Sequence, residues 1–344
     1  MANIYDVARL AKVSTATVSK VLSNTPYVSQ HTKKRVLEAI EKLHYSPSLA
    51  ARGLTGSRTY VIGLVVPYDP DYLFSDPFLL EVIRGVESVA NDNDYNVLIS
   101  MAKSADQRSA YTKLVRTGYV DGAVTLETFE GNIASKVLEE QGIPFVSIGY
   151  SDAPNRHNSV SASDYTGAYE AISYLIKLGH SRIGIICGPS HFMSALEERM
   201  RGINDALQAH AIELDSSLLT YGDFTLDSGY KACNELLSSE NRPTAIFAMN
   251  DRMAMGAMRC AREYELHIPH DLSLVGFDDI PMAVLVEPPL TTVRQPAVEM
   301  GRCATQKLLE MINADVREFE SIVLPAELII RSSAAAPHWG RANS

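Results

Sequence analysis

Four side chains suited to holding a small polar molecule stand near apolar, strand-like runs in the second half of this 344-residue chain. Phe224, Asn250 and Asp278 come just after such runs, and Arg199 lies within the helix predicted after the run at 182–187. An arginine, an asparagine and a carboxylate offer planar donors and acceptors that match pairs of hydroxyl groups, and an aromatic face packs on a C–H-rich sugar face. Together these residues could therefore recognise a small polyhydroxy compound.

The elements that must position them form the body of the chain after residue 60. This body alternates β-rich runs with amphipathic helical stretches, which is typical of parallel sheets covered by helices on both faces. Ligands bind beyond the carboxyl ends of such strands, so the loops that follow them are candidate sites. Two similar halves predict two subdomains with a ligand cleft between them. After the run at 61–66, the first half offers Tyr68 and Phe74 as aromatic candidates.

The apolar runs also predict the individual strands and helices. Strands are predicted at 61–66, 96–100, 122–126, 144–148, 182–187, 218–221, 244–249, 272–277, 290–295, 322–325 and 327–330, and the pattern restarts near 159–164. Helices are predicted to begin near Pro77, Asp106, Asn132, Asp164, His191, Thr225, Asp251 and Pro296. The predicted fold class is therefore α/β, with two doubly wound parallel-sheet subdomains behind an N-terminal all-α head.

The head begins with two short helices joined by a tight turn. Asn3 can cap the first helix, and Asp6, three residues later, completes a capping box. The turn position often occupied by glycine is Lys12, where a positive φ costs on the order of 1 kcal/mol. Ser14 can cap the second helix, and the buried face of that helix is predicted to consist of Val18, Val21 and Leu22.

The opposite face of the second helix is suited to reading DNA. Its side chains are small or polar except for one cation, and they are Thr15, Ala16, Ser19 and Lys20. Such a helix can enter a major groove deeply, so the pair predicts a helix-turn-helix. A third helix at 29–43 is predicted to close the head, with the basic residues 33–35 facing solvent or phosphate.

The net charge is distributed unevenly along the chain. The whole chain carries −10, whereas residues 1–60 hold nine Lys and Arg against three Asp and Glu, a net +6 that leaves −16 on the remainder. A basic head favours a polyanion as ligand, and an acidic body avoids non-specific DNA contact. There is no signal peptide or bilayer-spanning stretch, and the four separated cysteines are typical of reduced thiols, so a cytoplasmic protein is predicted.

A short segment at 47–59, the hinge segment, connects head and body. Pro47 ends the preceding element, and a helix of about two turns is predicted at 49–54. Helices shorter than about 12 residues are marginal alone in water, so the segment is predicted to be disordered until a partner holds it. Two such segments could fold together in a minor groove of DNA, and the distance between them would then control affinity.

The motif YDVARLAKVSTATVSKVLSN, followed by LHYSPSLAARGL, resembles the DNA-binding head and hinge helix of the lactose/galactose repressor family, and the similarity continues to about Ser332. These bacterial transcription regulators include the purine repressor and the catabolite control protein. The resemblance implies that Leu54 and its copy in a second subunit wedge into the minor groove. The predicted DNA-binding residues are Tyr5, Ser14, Thr15, Ala16, Thr17, Ser19, Lys20 and Leu54, of which Thr15, Ala16 and Lys20 read bases.

The same resemblance implies effector-binding roles in the body. Arg199, Asn250 and Asp278 match effector contacts of the family, and Phe224 matches the aromatic residue that stacks on the effector in the purine repressor. The predicted effector-binding set is Tyr68, Phe74, Arg199, Phe224, Asn250 and Asp278. Positions that are polar in the lactose repressor are Leu126 and Gly149 here, so the effector need not be a β-galactoside.

The predicted domains are a head at 1–46, the hinge segment at 47–59, a first subdomain at 60–161 with 292–324, a second subdomain at 162–291 with 325–333, and a disordered tail at 334–344. The predicted function is that of a homodimeric repressor that binds a DNA operator and is controlled by a small-molecule effector of the sugar class. No catalytic residue, metal or cofactor is expected.

Two alternatives remain open from the sequence. A regulator of the catabolite control type would take a phosphocarrier protein as corepressor beside the hinge segment. An enzyme fused to a DNA-binding head is the second alternative, but the adjacent Asp278 and Asp279 should point apart, and no P-loop, GxSxG or GxGxxG follows a strand.

Overall fold

The structure is a computed structural model that describes residues 2–22, 27–45, 58–66, 70–101, 108–126, 133–149, 158–189, 194–314 and 318–337. The head consists of three helices: α1 (Ile4–Ala11), α2 (Thr15–Leu22) and α3 (Gln30–Lys42). They enclose a small apolar core formed by Val7, Ala8, Ala11, Val18, Val21, Val36 and Ala39. The predicted hinge helix, including Leu54, lies outside the described residues.

The local signals of the head have the expected geometry. The Asn3 side chain accepts hydrogen bonds from the backbone N–H groups of Tyr5 and Asp6, and the Asp6 carboxylate accepts one from the Asn3 N–H at 3.0 Å. Lys12 ends α1 in the left-handed region with a φ of 52°. Ser14 Oγ accepts a hydrogen bond from the Thr17 N–H at 3.2 Å, which caps α2.

Two predictions about the head were wrong. Leu22 is exposed, because it is the last residue of α2 and extends beyond the faces of the other two helices. Arg35 does not face solvent or phosphate: its Nη2 donates to the carbonyl oxygens of Ala11 and Lys12. The C-terminal carbonyls of a helix lack intrahelical partners, so this arginine satisfies the end of α1 and ties α3 to the turn.

The first part of the body contains β1 (Val61–Val66), α4 (Pro70–Ser75), α5 (Pro77–Asp92), β2 (Asn96–Met101), α6 (Arg108–Thr117), β3 (Gly122–Leu126), α7 (Ile133–Glu139), β4 (Phe145–Ile148) and β5 (Ser159–Ala162). The second part contains α8 (Asp164–Lys177), β6 (Ile183–Cys187), α9 (Ser194–Ala209), β7 (Leu219–Tyr221), α10 (Leu226–Ser238), β8 (Ala245–Ala248), α11 (Asp251–Glu263), β9 (Ser273–Asp278) and β10 (Thr291–Arg294). The chain ends with α12 (Ala297–Ala314), β11 (Ile322–Leu324) and β12 (Glu327–Ile329).

These strands form two six-stranded sheets, one in each subdomain. The first sheet has the order β11-β5-β4-β3-β1-β2, and all its neighbours are parallel. The second has the order β12-β10-β9-β8-β6-β7, in which only the β10–β12 pair is antiparallel. The predicted fold class is confirmed, and α4 and β5 add two elements to the predicted set.

One sheet pairing and a set of hydrogen bonds place two boundaries differently from the predicted ones. Thr291–Arg294 pairs with β9, so the chain leaves the second subdomain after β10 and not at 292. The tail is also ordered further than predicted, because Ala335 N–H donates to Ser273 Oγ and Ala335 O lies 2.9 Å from His180 Nε2. These bonds hold residues 334–337 against the second subdomain.

Helices α5 and α12 pack unusually closely within the first subdomain. A Cβ atom on Gly85 would lie 2.0 Å from the Val298 carbonyl oxygen, and one on Gly301 would lie 2.2 Å from that of Val82. Only glycine permits such an approach of two helix backbones. The two helices therefore form a rigid unit that carries part of the cleft described next.

Candidate ligand cleft and nucleic-acid interface

A cleft lies between the two subdomains, at the carboxyl ends of strands from both sheets. It is partly open to solvent, and its empty space, including this open part, amounts to about 890 Å³. Most of its polar lining belongs to the second subdomain and its connections, namely Asp164, Arg199, Asn250, Asp278 and Gln295, with Phe224 beside them. The wall from the first subdomain is mainly apolar.

Arg199 is the best-anchored polar group of the cleft. Its Nε donates to Asp164 Oδ1 at 2.7 Å, and its Nη1 donates to the Met249 carbonyl oxygen. Its guanidinium carbon lies 3.8 Å from the centre of the Phe277 ring, a cation–π arrangement. A guanidinium has five N–H donors, so three are not used by these two bonds.

Asp278 and Gln295 form a second polar pair. Gln295 Nε2 donates to Asp278 Oδ1 at 2.7 Å, and Asp278 has a φ of 114° at the end of β9. Burial raises the pKa of the Asp278 carboxyl well above its usual range, and the positive charge of Arg199 partly opposes this rise. The neighbouring Asp279 faces away toward Arg294 and Arg331, at 2.7 and 2.6 Å.

The opposite directions of Asp278 and Asp279 agree with the expectation for adjacent residues in a turn. Asp279 serves a structural ion-pair cluster, whereas Asp278 lines the cleft. Two carboxyl groups with separate partners do not make an acid–base pair.

Asn250 combines a structural role with a place in the cleft. Its Oδ1 caps α11 by accepting from the Met253 N–H at 2.8 Å, and its Nδ2 donates to the Phe224 carbonyl oxygen at 3.1 Å. An amide NH₂ group has two donors, so the second is not used by this bond. Asp251, in contrast, is fully buried and binds the Ile280 N–H and the Thr292 hydroxyl.

Phe224 enters the cleft from a left-handed turn, with a φ of 66°. Its ring lies against the chain at the end of β6, because a Cβ atom on Gly188 would be only 2.5 Å from the ring. The absence of a side chain at Gly188 therefore permits the ring position. An aromatic face held in this way can pack on an apolar ligand face.

The first subdomain supplies the apolar wall, which includes Tyr72, Phe78, Leu126, Ile148 and Met300. The prediction for Phe74 was wrong: it is 61% exposed and lies outside the cleft lining. In α4, Leu73 faces the core and Phe74 the solvent, so Tyr72 takes the lining position. Tyr68 lies outside the described residues.

Several lining residues were missed as binding candidates, among them Asp76, Phe78, Asp164 and Gln295. Asp164 and Gln295 follow β5 and β10 closely, so the rule that sites lie beyond strand ends could have identified both. Asp76 was interpreted only as a helix start, which it also is, since its carboxylate accepts from the Phe78 N–H at 3.0 Å.

The cleft contains more carboxyl groups than cations. Burial raises the pKa values of Asp76 and Asp164, and the nearby arginines Arg252 and Arg199 respectively oppose these rises. Together with the half-buried Asp278, three acids accompany one lining arginine. A neutral ligand rich in hydroxyl or amino donors would find acceptors among these carboxyl groups.

The head presents the predicted reading face to solvent. Ala16 and Lys20 are exposed, Thr15 and Ser19 are half-buried, and Tyr5 of α1 is 71% exposed. Ser14 and Thr17 bond to each other through their hydroxyls at 2.9 Å. Their predicted roles in DNA binding stay predictions.

Within the described ranges, no cluster of three or more His, Cys, Asp or Glu side chains is arranged to hold a metal ion. A search of the same residues also finds no helix with the length and apolar character needed to cross a membrane.

A helix-turn-helix head followed by two α/β subdomains around a ligand cleft defines a class: DNA-binding regulators that respond to a small molecule. Comparison with known proteins supports this class. The family description "Bacterial regulatory proteins, lacI family" matches residues 3–48, and "Periplasmic binding protein-like domain" matches residues 172–334. The HTH-type transcriptional repressor CytR of Escherichia coli (strain K12) is 36% identical over 340 residues, covering 97% of this chain and 97% of CytR.

Solved structures are similar over nearly the whole chain. The complex of the transcriptional regulator CelR with cellobiose has a TM-score of 0.76 and 32% identity, and covers 97% of this chain and 100% of CelR. The lac repressor dimer bound to operator and the anti-inducer ONPF has a TM-score of 0.81 and 27% identity, and covers 97% and 99%. The chain belongs to the lacI family of bacterial regulatory proteins, and it is a DNA-binding transcriptional regulator.

Proposed function

We propose that this protein is a cytoplasmic, homodimeric repressor whose operator affinity is set by a neutral, polyhydroxy effector in the cleft. The observation that carries this proposal is the convergence of Arg199, Asn250, Asp278, Gln295 and Phe224 at the strand ends, opposite an apolar wall. These groups offer donors, acceptors and one aromatic face, which is the combination that a carbohydrate requires. CelR, which is similar over nearly the whole chain, binds cellobiose.

On the DNA side, α2 is the reading helix of each subunit. Thr15 offers a hydroxyl and a methyl group, Ala16 a methyl group for thymine, and Lys20 a cation for guanine or phosphate. Two heads related by a twofold axis require a near-palindromic operator. The lac repressor, a structural neighbour, is a dimer bound to operator.

The coupling between the two sites runs through the hinge segment. An effector that closes the cleft would rotate the first subdomains of the dimer relative to each other and separate the two hinge segments. The segments would then lose the minor-groove contacts that order them, including the Leu54 wedge. Effector and operator affinities would be reciprocally coupled, typically by about 1–3 kcal/mol.

The absence of catalysis is part of the proposal. The cleft acids Asp164 and Asp278 are each engaged by a neighbouring side chain, Arg199 and Gln295 respectively. This arrangement suits tight binding of hydroxyl groups more than proton transfer.

A thermal-shift screen of monosaccharides, disaccharides and nucleosides tests the effector assignment, because a ligand of the folded state raises its melting temperature. We expect a hit among these compounds, and Arg199→Met should abolish the shift. Arg201→Met is the matched control, since Arg201 lies on the same helix but pairs with Glu198 at the surface. A compound that still raises the melting temperature of Arg199→Met would contradict the cleft assignment. A rise in melting temperature caused only by a phosphocarrier protein would favour the catabolite control alternative.

A further inference from the structure

One charged side chain connects the two subdomains beside the cleft. Arg252 stands in the first turn of α11, in the second subdomain, and its guanidinium reaches the junction of α4 and α5 in the first. Its Nη2 donates to Ser75 Oγ at 3.3 Å, and its Nη1 lies 3.7 Å from Asp76 Oδ2. Its guanidinium carbon lies 5.9 Å from the centre of the Tyr72 ring.

The surroundings of Arg252 shield this contact from solvent more than a surface ion pair would be shielded. The Arg252 side chain is 15% exposed and that of Asp76 is 9% exposed. Solvent screens such a pair less than an exposed one. The attraction between the two charges is therefore sensitive to the distance between the subdomains.

The contact is incompletely formed in this conformation. Arg252 Nη1 is buried but has no hydrogen-bond partner in the part of the chain that the structure describes. Charge-assisted hydrogen bonds span about 2.7–2.9 Å, so the 3.7 Å separation from Asp76 leaves room for further approach. A closing movement of about 1 Å at this point would complete the bond.

Both ends of the contact are attached to cleft walls. Asp76 caps α5, which carries the lining residues Phe78 and Leu79. Arg252 follows Asn250, the lining residue that caps α11. Drawing Arg252 toward Asp76 therefore brings the two walls together.

We propose that Arg252 is a closure latch: a positioning residue that holds the subdomains together through Asp76 and Ser75, so that ligand entry and exit require this contact to break. The latch regulates the cleft assigned above to an effector, and its regulatory meaning rests on that proposed function. The latch itself concerns the relative position of the subdomains and can be tested without a ligand.

The test measures the distance between subdomains in the full-length protein by pulsed electron paramagnetic resonance. Spin labels are attached at two exposed positions, through Lys113→Cys in the first subdomain and Lys231→Cys in the second, with the half-buried Cys303 replaced by serine. Labelled chains are diluted into unlabelled protein so that distances between subunits do not contribute. We expect Arg252→Met to shift the ratio of open to closed populations by about fivefold.

Two further variants separate a latch from a general structural effect. Arg252→Lys keeps the charge and should retain much of the closed population. Arg259→Met is the matched control, because Arg259 lies on the same helix but pairs with Asp227 and Glu263 within its own subdomain. This control should leave the distance distribution unchanged.

A double-mutant cycle identifies Asp76 as the partner. Asp76→Asn keeps the capping oxygen but removes the charge, so its effect and that of Arg252→Met should not add. An unchanged distribution in Arg252→Met, or additive effects of the two substitutions, would overturn the latch. A shifted distribution in a protein that binds no compound of the effector screen would keep the latch and refute the proposed function, so the two failures are distinguishable.

Discussion

Replacing Arg199 by methionine removes the guanidinium that neutralises Asp164 inside the cleft. The two side chains are only 8% and 6% exposed, and they are joined by a 2.7 Å hydrogen bond. Methionine keeps much of the length of arginine and can still pack on Phe277, which the guanidinium now covers. The substitution therefore tests the charge more than the packing.

The loss of stability is set by the Asp164 carboxyl group, which stays buried after the substitution. Removing one partner of a buried ion pair costs about 3–5 kcal/mol, because the other charge stays buried without compensation. Burial already raises the pKa of Asp164 while Arg199 opposes the rise. Without Arg199 the carboxyl can take up a proton, which limits the cost to about 2–4 kcal/mol. At about 2–4 °C per kcal/mol, the melting temperature of the second subdomain should fall by roughly 4–16 °C.

The loss should depend on pH in a defined direction. Because the pKa of Asp164 is higher in the folded than in the unfolded state, the folded state binds more protons between the two pKa values. Stability therefore falls as pH rises through this window and returns as pH is lowered. The deficit of Arg199→Met relative to the unmodified protein should be larger near about pH 8 than near about pH 5.

Differential scanning calorimetry of the full-length protein at both pH values measures this prediction. Arg201→Met serves as the surface control, since its pair with Glu198 is solvent-exposed on the arginine side. The double variant Arg199→Met with Asp164→Asn should recover much of the lost stability, because it removes the buried Asp164 charge that Arg199→Met leaves without a partner. A melting temperature unchanged in Arg199→Met, or a loss that Asp164→Asn does not relieve, would refute the reasoning.

Three other outcomes can be measured directly. Leu54→Ala should weaken operator binding by at least about tenfold and leave effector binding intact. Gel-shift titrations of a selected inverted-repeat duplex test this, and equal affinities of the variant and the unmodified protein would rule out the Leu54 wedge. Burial lowers the pKa of His180, which forms hydrogen bonds with Thr244, Ser273 and Ala335. The neutral His180 therefore contributes to stability above the usual pKa of histidine, and this contribution is lost as pH falls below that value. His180→Gln should flatten the acid side of a profile of stability against pH, and an unaltered profile would count against this role. Gly301→Val should destabilise the first subdomain by about 1–3 kcal/mol or more, because its side chain would clash with the Val82 carbonyl oxygen. Urea unfolding measures this loss, and an unchanged midpoint would show that α5 and α12 can move apart to accommodate the side chain.

The local structure of the head was predictable from residues within one helical turn of each other. Asn3 and Asp6 form their capping box, Ser14 caps α2, and Lys12 takes the left-handed position at the turn. The strands of the body were predictable for a similar reason, because continuous apolar runs between turn signals indicate buried parallel strands.

Part of the cleft was also predictable. Arg199, Phe224, Asn250 and Asp278 all line it, as both the strand-end rule and the family resemblance indicated. The predicted place of Phe74 in the cleft was not found, because neighbouring residues on a helix point about 100° apart. The short helix α4, which turns Tyr72 toward the cleft, was not predicted from the sequence.

The sequence by itself determined the class of fold, the helix-turn-helix and four of the polar and aromatic residues that line the cleft, since periodicity, caps and strand ends are encoded within short stretches. Only the tertiary structure decided which distant groups meet. Arg199 bonds to Asp164, which lies 35 residues earlier in the chain. Gln295 bonds to Asp278, 17 residues earlier, and Arg252 bonds to Ser75, 177 residues earlier. These pairings depend on which strands become neighbours and where the chain crosses between subdomains, and no local pattern specifies either.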